Sequence, residues 1–259
     1  MDLGISGRTA IVCGSSRGLG RACAISLARA GCTVIVNGID PSRLQATASE
    51  IARISNAHIV PVAGDVTTRE GQDRLLEACP APDILVTNAG GPPFRDFREL
   101  DREAMLKGVT ANMVTPIELI QRTVDGMVQR EFGRIVNITS VSVKMPVLGL
   151  DLSSGARAGL TAFLAGVSRS VAHANVTINN ILPGFIDTDR FQAGIEANAA
   201  ALGKTGQQMR AEREQQVPAK RIGRPEEFGE ACAFLCSAQA GYITGQNLLL
   251  DGGLHHSAF

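Results

Sequence analysis

The sequence predicts an α/β protein built on a doubly wound parallel sheet of about seven strands, with helices on both faces. Three observations carry this expectation. Short runs that are apolar throughout recur along the chain, as strands buried on both faces require. Helical patterns separate successive runs, so neighbouring strands run parallel through crossovers. The first run also leads straight into a glycine-rich turn that opens a helix.

The elements follow in order. TAIVC (9–13) reads as the first strand and residues 18–30 as its helix. TVIVN (33–37) is the second strand, followed by a helix over 41–54. HIVPV (58–62), DILVTN (83–88), GRIVNIT (133–139) and VTINNILP (176–183) continue the series, and NLLLDG (247–252) closes it. The longest helices are expected over 101–130 and 152–174. No internal repeat or interdomain linker interrupts residues 1–259, which read as one domain. Residues 189–217 break the alternation with a polar, partly helical stretch. It reads either as a surface insertion or as a lid, because it follows the C-terminal end of a strand, where ligands bind.

Composition narrows the function classes. Lys+Arg and Asp+Glu each number 25, so no basic field exists to draw nucleic acid or an anionic membrane. No apolar run approaches the length of a membrane span, and the first residues lack a signal-peptide pattern. The 6 cysteines show neither a CxxC nor zinc spacing, so no metal site is expected. Cys232 and Cys236, one helical turn apart, read as buried thiols. These features predict a reduced, cytoplasmic protein.

The turn CGSSRGLG (13–20) spaces its glycines as Gly14-x3-Gly18-x-Gly20. Glycine lets the backbone bend sharply and approach a pyrophosphate, whose charge the following helix N-terminus favours. Within a complete βαβ unit this predicts a Rossmann-like dinucleotide site. NAD binders end the second strand with a carboxylate, but here that end is Asn37-Gly38. Asp40 stands nearby, and Asp40-Pro41 also reads as a helix cap followed by proline. Arg17, inside the turn, has the chemistry to meet a 2′-phosphate, or it is a solvated loop charge. The balance favours NADP(H) over NAD(H).

These residues, taken together, resemble the short-chain dehydrogenase/reductase family over nearly the whole chain. The overall likeness points to its 3-oxoacyl-acyl-carrier-protein reductases. The turn matches TGxxxGxG except that Cys13 replaces the threonine, which brings Ser16, Arg17 and Leu19 to the cofactor beside the three glycines. Asp65-Val66 matches the pair that contacts adenine, and Asn88-Ala89-Gly90 matches the NAG that supports the sheet beside the cofactor. Asn112 looks like the asparagine that anchors a proton-relay water, and Ser140 like the substrate-orienting serine. Pro183-Gly184, Ile186 and Thr188 match the stretch along the nicotinamide. The resemblance also implies a homo-oligomer, tetramer or dimer, packed on the fourth and fifth helices and the last strand. Small residues along 152–174 and the stripe Leu160, Phe163, Leu164, Val167 and Val171 are compatible with that, and equally with packing on the parent sheet.

One departure matters. The family places a tyrosine thirteen positions after the serine and a lysine four beyond it; counting from Ser140 gives Ser153 and Arg157, with Ala158-Gly159 holding the register. Hydride transfer to a ketone builds negative charge on oxygen, which a positioned acid must neutralise. A phenol with a pKa of about 10 is drawn toward neutrality by an adjacent ammonium, whereas an aliphatic hydroxyl is a far weaker acid. Ser153 still donates a hydrogen bond. Arg157 keeps its proton at ordinary pH and has the donors to take over the lysine's bond to the nicotinamide ribose.

Other groups offer less. Lys144, on the loop after the fifth strand, is a candidate acid or a solvated lysine, and Asp151 should be ionised. Tyr242 reads as structural, His173 as remote from the cleft, and His255 and His256 as surface residues of a tail. The reading that results is an NADP-dependent oxidoreductase that reduces a carbonyl, of a 3-oxoacyl-like compound or a small ketone, to an alcohol through Asn112, Ser140, Ser153 and Arg157. The alternative is a non-catalytic NAD(P)-binding sensor or partner subunit. Loops 91–100 and 141–151 and the insertion should wall the substrate pocket, with Gly91-Pro92-Pro93-Phe94 and Met145-Pro146-Val147-Leu148 making it apolar.

Overall fold

The computed structural model describes residues 2–91 and 94–257, so Pro92 and Pro93 of the expected pocket wall lie outside the described residues. Strands β1 (Thr9–Val12), β2 (Thr33–Gly38), β3 (Ile59–Ala63), β4 (Ile84–Thr87), β5 (Gly133–Ile138), β6 (Val176–Pro183) and β7 (Asn247–Leu250) form one sheet. Its order is β3-β2-β1-β4-β5-β6-β7, with every pair parallel. The chain winds outward from β1 to β3, then returns to place β4 on the other side of β1. Val12 therefore pairs with Val36 on one side and Val86 on the other. This reversal opens a crevice above the C-terminal ends of β1 and β4, where a ligand fits.

Alternation along each strand feeds two apolar layers. Ala10 and Val12 face the layer made with α1 (Gly18–Arg29), α2 (Pro41–Ser55) and α9 (Pro225–Leu235). Ile11 faces the layer made with α3 (Arg69–Ala78), α5 (Thr115–Gln129) and α6 (Asp151–Val171). All six cysteines are buried free thiols, Cys232 and Cys236 among them. Among the described residues no helix is long and apolar enough to cross a membrane, and no acidic, Cys or His cluster has metal-binding geometry.

A polar ladder crosses the sheet at one register. Thr87 Oγ1 donates to Asn137 Oδ1 at 2.7 Å, and Asn137 Nδ2 to Asn180 Oδ1 at 3.1 Å. Asn180 Nδ2 then donates to Asn247 Oδ1 at 2.8 Å. Buried amides so paired fix the register of β4 to β7 under the crevice.

The expected helix over 101–130 is interrupted. It consists of α4 (Arg102–Val109), a wider π-helical turn (Thr110–Val114) and α5. Pro116 has no N–H for the Asn112 carbonyl one turn back, so the ladder widens there. The insertion is fuller than the sequence suggested: α7 (Asp189–Leu202) and α8 (Gly206–Gln216) pack through Phe191, Ile195, Ala199 and Met209. One minor expectation fails in the tail, where both ring nitrogens of His255 are shielded from solvent.

Candidate active site

The crevice is a cleft of about 910 Å³ over the C-terminal strand ends, running from the glycine turn to α7 and α8. The turn is shaped by sterics. Gly14 and Gly18 take left-handed backbone at φ 55° and 58°. A Cβ at Gly20 would lie 2.4 Å from the Gly14 carbonyl oxygen, so helix and turn close on each other only through glycine. Asn88 Nδ2 donates to that same carbonyl at 3.1 Å, tying the β4 end to the turn. The resulting cradle fits a pyrophosphate, with the exposed start of α1 facing it.

Ser16, Arg17, Gly18 and Leu19 line the cleft together with Gly14, whereas Gly20 lies behind the turn. Asn37, near the end of β2, borders the cleft. Its Oδ1 accepts from the Gly14 amide at 3.2 Å, and its Nδ2 donates to the Val62 and Gly64 carbonyls at 3.1 and 3.0 Å. Asn37 thereby braces the turn against β3 while it borders the cleft. Asp40 caps α2 by accepting from the Ser42 and Arg43 amides through Oδ1, and it also borders the cleft. Asp65 accepts from the Thr67 amide and hydroxyl at 2.9 and 2.8 Å beside Val66, and all three border the cleft. Arg17 is 63% exposed, its Nη1 4.0 Å from Asp189.

Asn88, Ala89 and Gly90 form the wall above β4, opposite Pro183, Gly184, Ile186 and Thr188. Thr188 Oγ1 accepts from the Phe191 amide to cap α7. A Cβ on Gly184 would lie 2.7 Å from Asp251 Cβ, so the strand end passes close to the tail.

The reacting groups would gather at the far end of this wall. Ser140 follows β5 by two residues and caps a short 3-10 turn (Val141–Val143), its Oγ accepting from the Ser142 amide at 3.1 Å. Ser153, in the first turn of α6, is buried yet borders the cleft. One turn on, Arg157 Nε donates to Ser153 Oγ at 3.1 Å, and its Nη1 donates to the Ile138 and Thr139 carbonyls at 2.6 Å each. Burial, with the Arg190 charge adding, pulls the Arg157 guanidinium down to about 10. It therefore stays protonated at neutral pH. Asn112 is not in the cleft; it borders a cavity of about 10 Å³ behind Arg157, Asn88 and Pro116. Its Nδ2 donates to the Gly108 carbonyl at 3.0 Å.

The other candidate acids stay outside the cleft lining: Lys144, Asp151 and Tyr242 are exposed, and so is His173. Sequence reasoning did not single out Arg43, Arg190 or Arg213, all of which border the cleft. Arg43 follows the Asp40 cap by three residues, and the helical spacing of 210 and 213 in the insertion was the available signal for Arg213.

The comparisons agree with this architecture. The family described as enoyl-(acyl carrier protein) reductase matches residues 14–255. The chain is 34% identical to the 3-oxoacyl-acyl-carrier-protein reductase FabG of Aquifex aeolicus, covering 98% of this chain and 100% of that one. It is 33% identical to the NADPH-dependent reductase BacG of Bacillus subtilis, over 96% and 98% of the two chains. The structure of L-sorbose reductase from Gluconobacter frateurii complexed with NADPH and L-sorbose superposes with a TM-score of 0.94 at 28% identity, over 99% of this chain and 100% of that one. With the glycine turn, the NAG wall and the sheet order all in place, the chain belongs to the short-chain dehydrogenase/reductase family of oxidoreductases.

Proposed function

We propose that the protein is an NADP(H)-dependent oxidoreductase that reduces the carbonyl of a small molecule, using Ser153 and Arg157 as its polar pair. The observation that carries this is the bond from Arg157 Nε to Ser153 Oγ at the cleft. An oxygen that accepts from a guanidinium has its own proton left to donate. Ser153 O–H thus points its dipole at an incoming carbonyl oxygen, with Ser140 O–H as the second donor. Two such donors stabilise the charge that develops on oxygen. The bound nicotinamide supplies the hydride.

Arg157 Nη2, without a hydrogen bond among the described residues, is the nitrogen available to a ribose hydroxyl. The small cavity beside Asn112 and Arg157 is of the size of one water, and the proton that completes the alcohol is taken from solvent in the cleft that Ser153 borders. Arg17 supports NADP(H) over NAD(H), since its guanidinium matches a 2′-phosphate. BacG is named as NADPH-dependent, and L-sorbose reductase was solved with NADPH. We read residues 189–217 as a lid on a single domain. The exposed face of α6, with Phe163 46% exposed and open space beside Gly155 and Gly166, supports a homo-oligomeric contact. Six buried free thiols support residence in the reducing cytoplasm.

The test mixes the protein with NADPH and panels of 3-oxoacyl thioesters and small ketones, following absorbance at 340 nm. Turnover supports the proposal. Tight NADPH binding with no turnover on any compound gives the protein to the alternative reading, a cofactor-binding sensor or partner subunit.

A further inference from the structure

The lid side of the cleft carries an uncompensated charge. Arg213 projects from α8 into the cleft, half-buried, with its guanidinium 5.5 Å from the Phe185 ring centroid and Nη1 donating to Gln216 at 3.0 Å. Among the described residues no acidic group lies within 4.0 Å of it. Its neighbour Arg210 differs, being paired with Asp187 at 2.7 Å and Glu214 at 3.1 Å.

The acids that border the cleft are engaged elsewhere. Asp40 caps α2, Asp65 holds Thr67, and Asp189 faces Arg17. Arg190, whose Nη1 donates to the Gly91 carbonyl at 3.0 Å, adds a second positive charge to the same wall. The two guanidiniums give the lid side of the cleft a positive potential that concentrates anionic ligands. A guanidinium held over an aromatic face is oriented before the ligand arrives, and it matches a carboxylate in a bidentate fork.

The geometry points to a substrate that bears a carboxylate, gripped by Arg213 while its carbonyl meets Ser140 and Ser153. The apolar side chains of Met145, Phe185 and Phe191 then flank the carbon chain between the two polar ends. This substrate class rests on the carbonyl-reductase reading above. Its test is a binding measurement, so the two stand or fall separately.

Calorimetry on the protein–NADPH complex would compare a series of methyl-ketone acids of four to ten carbons, in which the carbonyl stands progressively farther from the carboxylate, with their methyl esters. The expected result is that an acid binds roughly tenfold to a hundredfold more tightly than its ester. That preference should vanish in Arg213→Gln, persist in part in Arg213→Lys, and leave the NADPH Kd of both variants and their Tm at parent values. Equal binding of acid and ester, binding of neither, or a preference that survives Arg213→Gln overturns the assignment. A raised NADPH Kd in Arg213→Gln also overturns it, giving the arginine to the nucleotide instead. Turnover in the same samples reports on the carbonyl-reductase reading alone.

Discussion

Arg157 and Ser153 lie one turn apart on α6, and the guanidinium Nε donates to the serine oxygen at 3.1 Å. Arg157 is held from its other edge by the carbonyls of Ile138 and Thr139, at the end of the strand that leads to Ser140. One guanidinium thereby sets the positions of both hydroxyls proposed to meet the substrate.

Removing the Ser153 hydroxyl deletes one of two donors to the developing oxyanion. Ser153→Ala should lower kcat/KM by roughly a hundredfold with NADPH affinity unchanged. Restoring a phenol and an ammonium in Ser153→Tyr/Arg157→Lys should raise turnover above the parent by roughly tenfold or more, because a true general acid returns. A double variant no faster than the parent would show that the serine site is already proton-competent.

Arg157 also sets a pH expectation. Its folded value, about 10, lies below the ordinary guanidinium value, so folding disfavours the charged form. The penalty is fully present below the folded value and is relieved as pH rises above about 10, where the unfolded chain binds more protons. Across pH 7 to 9 the guanidinium remains charged and should contribute no titration to kcat. Activity should fall only as the pH nears 10. Chemical denaturation at stepped pH should show Arg157→Met losing the parent's relative gain in stability in the alkaline window.

The turn allows a sharper steric test. Gly20→Ala places a methyl 2.4 Å from the Gly14 carbonyl oxygen, a backbone atom that cannot swing away. Overpacking of this kind costs about 1–3 kcal/mol, and it displaces the amides that cradle the pyrophosphate. Both the Tm and the affinity for NADPH should drop in the same variant. Loss of stability with NADPH affinity intact would place the nucleotide elsewhere.

Arg17 separates the two dinucleotides. Arg17→Ala should weaken NADPH binding by roughly tenfold or more while leaving NADH nearly untouched, the loss of one charge-assisted contact. Titration of both cofactors by fluorescence reads this directly. Equal weakening of both would move the 2′-phosphate away from Arg17 and toward Arg43, which borders the same end of the cleft beside Asp40.

What the sequence by itself determined were the local and periodic features. Apolar runs dictate buried strands, the glycine spacing dictates a bend that side chains would block, and Asp40-Pro41 dictates a cap. Each depends on neighbours a few residues away, so each was legible. Tertiary structure decided the rest. Asn37 turned out to be a brace because β3, 25 residues on, brings its carbonyls within reach. Arg157 became the holder of Ser153 because β5 ends beneath α6, and Arg213 faces the cleft because α8 folds back over Phe185. A side chain's partners are set by which strand ends and helices the fold brings together, and no spacing within one segment encodes that.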